Sequence, residues 1–129
     1  MATRSTRGDA IVVLFIGEVV RLPNSHKALF EIRKLRDYSL NPNHPVGKHK
    51  ARVFKAALGI TLADAEWLRE RALESALSDD ASRSVLSVFG DKYVIDSVLE
   101  HGEMSAIVRF SWIVEFGTDF PRLTSCYVK

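Results

Sequence analysis

The chain has one cysteine in 129 residues, Cys126, which excludes an internal disulfide and any cysteine-based zinc cluster. Nor does it have a long apolar run. The longest, AIVVLFIG at residues 10–17, is well short of the roughly 20 residues that cross a bilayer and meets Glu18 at once. Arg4 and Arg7 precede that run, but no small-x-small cleavage site follows it, so a secretory leader is not expected. A reducing, cytoplasmic setting fits these absences. Metal and cofactor motifs are missing too. His26, His44, His49 and His101 show no i, i+4 pairing and no H-E-x-x-H arrangement. Gly47-Lys48 is not a phosphate-binding loop, because no Gly stands five residues earlier and no Ser or Thr follows. No metal, cofactor or membrane partner is expected. What remains is an ordinary globular composition, 47% apolar and 26% charged, enough for a single domain over residues 1–129.

Charge is unevenly placed. Arg33, Lys34, Arg36, Lys48, Lys50, Arg52 and Lys55 are accompanied only by Asp37, whereas residues 64–103 carry ten acids against four Lys or Arg. Such asymmetry points to a polyanion on the basic side, although two solvated faces of opposite sign would look the same.

Residues 1–9 are polar and are expected to be flexible, and the β-branched run over 10–20 reads as a strand ended by Pro23-Asn24. A short extended piece over 28–32 and two helical turns over 33–40 follow, stopped by Asn41-Pro42. A helix is expected from Pro45 to Leu58, with Gly59 as its C-terminal cap. Thr61 with Asp64 resembles a capping box, opening a helix with Leu62, Ala65, Leu68, Ala72, Leu73 and Ala76 on one arc. Trp67 falls on the polar side of that arc, a sign of a partner surface. Residues 78–84 read as a loop, with Asp79-Asp80 a solvated pair rather than a catalytic one. Strands are then expected over 85–89, 92–99, 105–116 and 122–128. In the third, Ala106, Val108, Phe110, Trp112, Val114 and Phe116 alternate without a break, leaving Arg109 and Ser111 on a groove-lining face. In the last, Leu123, Ser125 and Tyr127 share a side, and Cys126 reads as a small core residue. The expected fold is α+β, N-terminal helices packed on a four- to five-stranded antiparallel sheet.

The helix start NPNHPVGKHKAR raises an electrostatic question, because cations at a helix N-terminus oppose its dipole by roughly 0.3–1 kcal/mol each. At about 100° per residue, Lys48, Arg52 and Lys55 form a solvent-facing stripe opposite Val53, Phe54, Ala57 and Leu58. Lys50 falls inside the apolar arc, so its ammonium must reach solvent or a buried partner. A phosphate at this N-terminus would reverse the sign, binding the free N–H groups together with the Lys and His side chains. The plain alternative is hydrated Lys48 and His49 with Lys50 paired to an acid such as Asp37.

Two blocks carry a resemblance. LPNSHKALFEIRKLRDYSLNPNHPVGKHKARVFKAALGIT and the later GDKYVID, WIV and DFPRLTSCYV resemble an uncharacterised bacterial domain family found alone or at the C-terminal end of polymorphic toxins. The pattern is L-P-N-x-x-K-A, K-L-x-x-Y-x-L-N-P-x-H-P-V-G-x-x-K-A-x-x-F and D-F-P-R-L-x-T-C-Y, covering residues 22–127. That family is similar in turn to the barnase, EndoU, colicin and RelE-like ribonuclease fold, a likeness of fold that supports function only in part. Matching polar positions are Lys27, Tyr38, His44, Lys50, Arg122 and Tyr127; Ser125 stands where the pattern has Thr, while Lys48 and His49 fall at open positions.

The resemblance implies a metal-independent endoribonuclease, the toxin of a bacterial toxin–antitoxin type pair, cleaving RNA by attack of a 2′-hydroxyl. His44 is then the first choice for acid or base and His49 the second. Lys50 and Arg109 would stabilise the phosphate, Ser125 and Tyr127 would position it, and Lys48, Arg52, Lys55 and Arg122 would bind the rest of the strand. A small cognate antitoxin or immunity protein would be the protein partner, with self-association left open. Two other readings stay open: a non-catalytic RNA-binding or protein-interaction module of the same fold, and the neutralising member of such a pair, binding through its acidic half. A ribonuclease needs its histidine in the same groove as Lys50, Ser125 and Tyr127; a binding module does not.

Overall fold

The alternation expected over 105–116 builds the centre of the sheet. In the computed structural model, which describes residues 19–129, strands β3 (Gly90–His101) and β4 (Met104–Glu115) pair antiparallel along their whole length. A two-residue turn joins them, with Gly102 at φ +62°, a left-handed conformation that glycine adopts without steric penalty. Strands β1 (Val19–Val20), β2 (Ala81–Leu86) and β5 (Arg122–Val128) complete an open five-stranded antiparallel sheet in the order β1-β2-β3-β4-β5. The expected flexible segment 1–9 and the first part of the strand over 10–20 lie outside the described residues.

Helix α1 (Lys48–Leu58) and helix α2 (Ala65–Ser78) pack on one face of the sheet, giving the α+β fold. Cross-strand rows Tyr93/Trp112/Leu123 and Ile95/Phe110/Cys126 meet Phe54 and Leu58 of α1 and Leu68 and Ala72 of α2. Burying each of the larger side chains contributes on the order of 1.5–3 kcal/mol. No helix among the described residues is long and apolar enough to cross a membrane.

Several boundaries differ from expectation for local reasons. Residues 78–84 are not a loop, because β2 begins at Ala81 and pairs with both β1 and β3. The extended piece over 28–32 reduces to one parallel bridge, Leu29 to Arg122. The two helical turns expected over 33–40 are present over 33–39, but their later part, Leu35–Ser39, is wound wide and closed by Leu40 N–H to the Leu35 carbonyl at 2.9 Å. In β5 the alternation is broken by a bulge, since Ser111 pairs with Ser125 but Trp112 pairs with Leu123. Leu123 and Cys126 therefore face the core, while Ser125 and Tyr127 face the other way. Trp67, expected on the polar side of its helix, is half-buried and edge-on to His101, with ring centroids 4.8 Å apart.

Both helix caps read from the sequence are present. Gly59, at φ +69°, ends α1, and Thr61 and Asp64 exchange capping hydrogen bonds ahead of α2. Helix α1 starts later than Pro45 because residues 41–47 form turns. Its position depends on Gly47, whose backbone lies against the carbonyl of Tyr38; a Cβ there would run into that oxygen. Gly47→Ala should therefore lower stability by about 1–3 kcal/mol by forcing the two segments apart. Urea denaturation midpoints of the two proteins measure it, and an unchanged midpoint would show that the contact relaxes freely.

Candidate functional site

The turn before α1 answers its charge problem with a side chain. Nδ1 of His44 accepts the backbone N–H of Val46 at 3.0 Å and of Gly47 at 2.9 Å, and Asn41 Oδ1 accepts that of Asn43 at 2.9 Å. The imidazole thus takes N–H groups that would otherwise be free at this helix entrance. With Nδ1 an acceptor, the ring proton sits on Nε2, so in this arrangement His44 is a hydrogen-bond donor and not a base. Its ring stands edge-on to Tyr38, with centroids 4.8 Å apart.

Lys50 approaches the same tyrosine. Its Nζ is 5.2 Å from the Tyr38 ring centroid and 5.7 Å from that of Tyr127, near enough for cation–π attraction to both. Among the described residues Lys50 has no carboxylate within ion-pair distance, so the expected alternative of a pair with Asp37 is not formed. His49, Lys50, Val53 and Tyr127 line a cavity of about 260 Å³. A second, of about 140 Å³, is lined by Lys34, Tyr38, Thr124 and Ser125. The Lys50–Tyr38 contact lies between the two, giving a cleft along β5 that holds two cations in no ion pair among the described residues, Lys34 and Lys50, with two aromatic rings and the exposed imidazole of His49. Buried Cys126 lies beneath, its thiol pushed up to about 12 by burial, against the opposing influence of Lys50 and the Ser39 hydroxyl. It is no nucleophile in this state.

The chain belongs to the DUF6883 family. This domain of unknown function matches residues 21–129, a span that includes the whole cleft. No curated protein and no solved structure matches the chain.

The other candidate residues of this DUF6883 domain divide into three groups. Arg109 is the cross-strand neighbour of Tyr127, but its guanidinium is bound to Asp96 by two hydrogen bonds of 2.8 and 2.9 Å, and Lys129 reaches the same carboxylate at 3.0 Å. The Arg109 hydrogen bond holds the Asp96 carboxyl at about 2, and Asp96 in turn raises Arg109. Arg122 is engaged by Glu115 at 3.1 and 3.2 Å. Lys48, Arg52 and Lys55 sit on the opposite flank of α1 from Lys50, in a separate groove. The expected apolar arc of α1 is also rotated: Ala51, Phe54 and Leu58 are buried, and Val53 is 42% exposed. That rotation puts Lys50 at the cleft wall. Sequence reasoning counted Lys34 only within the basic segment and gave no place to Ser39, whose only signal was adjacency to Tyr38.

Two outcomes follow from these contacts. His44→Ala should cost about 1 kcal/mol by removing the acceptor at the helix entrance, and His44→Asp should recover part of it, read as thermal midpoints. Because the folded-state Asp96 lies below its ordinary 3.8, its ion pairs stabilise the fold above about pH 4, and that contribution is lost as pH falls from about 4 to about 2. Asp96→Asn should lower stability at neutral pH and flatten the acid loss across that window; a variant with an unchanged acid profile would contradict the assignment.

Proposed function

We propose that this domain acts on RNA as an endoribonuclease whose own side chains suffice for the reaction, serving as the toxin of a bacterial toxin–antitoxin type pair. The observation that carries the reading is Lys50: an ammonium without a carboxylate, held between two tyrosine rings in the cavity that also contains the His49 imidazole. An uncompensated cation at a cleft wall favours a phosphate, and here it has an imidazole beside it. The resemblance of the sequence motifs to the ribonuclease fold supports the reading, and the fold is α+β with an antiparallel sheet, as that resemblance leads one to expect.

In this mechanism His49 takes the proton of a ribose 2′-hydroxyl. The oxygen attacks the adjacent phosphorus, and Lys50 stabilises the charge on the phosphorane. The P–O5′ bond breaks as the Lys50 ammonium protonates the leaving oxygen. The imidazolium then returns its proton to Lys50, leaving a 2′,3′-cyclic phosphate and a 5′-hydroxyl. Tyr127 and Ser125 position the strand. His44 acts through the N-terminus of α1, and its Nε2–H is left as a donor.

A second reading, RNA binding without cleavage, is favoured by one observation: Lys48, Lys50, Arg52 and Lys55 make no ion pair among the described residues, whereas Arg109 and Arg122 are engaged by acids. Phosphate binding needs no more than that.

Purified protein incubated with total RNA in EDTA separates the two. Cleavage should leave 2′,3′-cyclic ends and fall about 100-fold in both His49→Ala and Lys50→Ala. Intact RNA with salt-dependent binding would leave the non-catalytic reading, and absence of binding would remove both.

A further inference from the structure

The groove on the opposite flank of α1, about 460 Å³ in volume, combines two features that an RNA track does not need together. One wall is basic: Lys48, Arg52 and Lys55 line it, and no Asp or Glu does. Its floor is apolar, with Leu40 and Ile60 almost fully buried and Leu62 42% exposed at the rim. Asp64, two residues beyond Leu62, is engaged by the Thr61 N–H and lies 3.8 Å from His101, and Glu66 pairs with Arg36 and Arg69. Among the described residues nothing within the chain neutralises the three cations.

We propose that this groove is the docking site for an acidic amphipathic helix of a partner protein. Lys48, Arg52 and Lys55 follow an i, i+4, i+7 spacing and so run about 10 Å along the axis of α1. A second helix laid alongside, with carboxylates at the same spacing, meets all three. Apolar residues on the adjoining stripe of that helix enter over Leu62, Pro42 and the aliphatic stems of the three cations, removing carbon surface from water as a phosphate backbone cannot. The charges steer the encounter and set the partner's orientation, and the apolar anchor supplies most of the lasting affinity. Lys50 and His49 lie on the other flank, so this site is separate from the cleavage cleft; it competes with RNA for Lys48, Arg52 and Lys55, and the oligo-uridylate probe tells the two apart.

Fluorescence anisotropy with a labelled synthetic helix bearing a leucine stripe flanked by glutamates tests the proposal. Comparison probes are the same helix with its leucines replaced by serine, poly-glutamate, and oligo-uridylate. The leucine helix should bind the wild-type protein. Serine replacement in the probe, or Leu62→Asp in the protein, should each weaken it at least about tenfold. Triple reversal, Lys48→Glu, Arg52→Glu and Lys55→Glu, should abolish binding, whereas Lys50→Ala should leave it unchanged. An acid at position 48 suits the helix dipole and one at position 55, in the last turn, opposes it, so an unaltered thermal midpoint serves to confirm that the reversal variant is folded. Poly-glutamate binding as tightly as the leucine helix would show that the groove reads charge alone and would overturn the proposal. So would a triple reversal that weakens oligo-uridylate but not the leucine helix, or failure of the leucine helix to bind.

Discussion

The placement of helix α1 depends on a close approach. Its entrance lies against the carbonyl of Tyr38, and only a residue without a side chain fits there. That contact sets the distance between the wide turn at Leu35–Ser39 and the first turn of α1, and so puts Tyr38 within reach of both His44 and Lys50. The two side chains are then fixed from different directions. His44 is held by backbone N–H groups in front of the helix, and Lys50 by aromatic faces beside it. The cleft therefore follows from how one helix begins, and the sheet contributes its second wall through Tyr127.

The electrostatics divide along the same line. On the sheet, positive groups are balanced by acids across neighbouring strands, as in Asp96 with Arg109 and Glu115 with Arg122. The side chains of these two pairs are about 29–42% exposed, so solvent screens them less than fully exposed ion pairs. Helix α1 has four cations and no acid, so among the described residues its field is uncompensated on both flanks. The flanks differ in what surrounds the charge. Aromatic rings and an imidazole flank Lys50, whereas aliphatic side chains lie beside Lys48, Arg52 and Lys55. Equal charge in unlike surroundings suits ligands of different chemistry.

Legibility in the sequence followed the range of the interaction. The central strand was readable because Val108, Phe110 and Trp112 alternate regularly, and the caps at Gly59 and Thr61 because each is made within a few residues. Lys50 was recognisable as misplaced in its helix. Its partners were not, since Tyr127 comes from the far end of the chain and Tyr38 from across a turn. His44 stood out as a titratable residue, but its capping role depends on a turn geometry that composition does not specify. Val53 was assigned to the core because the helical wheel was centred on Lys50's side, and burial of Ala51 shows the true rotation. Arg109 was correctly placed on the outer face, yet its engagement with Asp96 required a register that only the folded sheet supplies.

The bulge in β5 reaches beyond local geometry. One extra residue near Thr124 divides the strand into two frames, with Arg122 and Leu123 read in one and Ser125 to Val128 in the other. Aligned without a gap to an unbulged strand, this segment would exchange inside for outside in half its length. Cys126 would be counted as a surface thiol and Tyr127 as a core aromatic. Comparison across the family at these positions is therefore meaningful only after the strand's parity has been set from the fold.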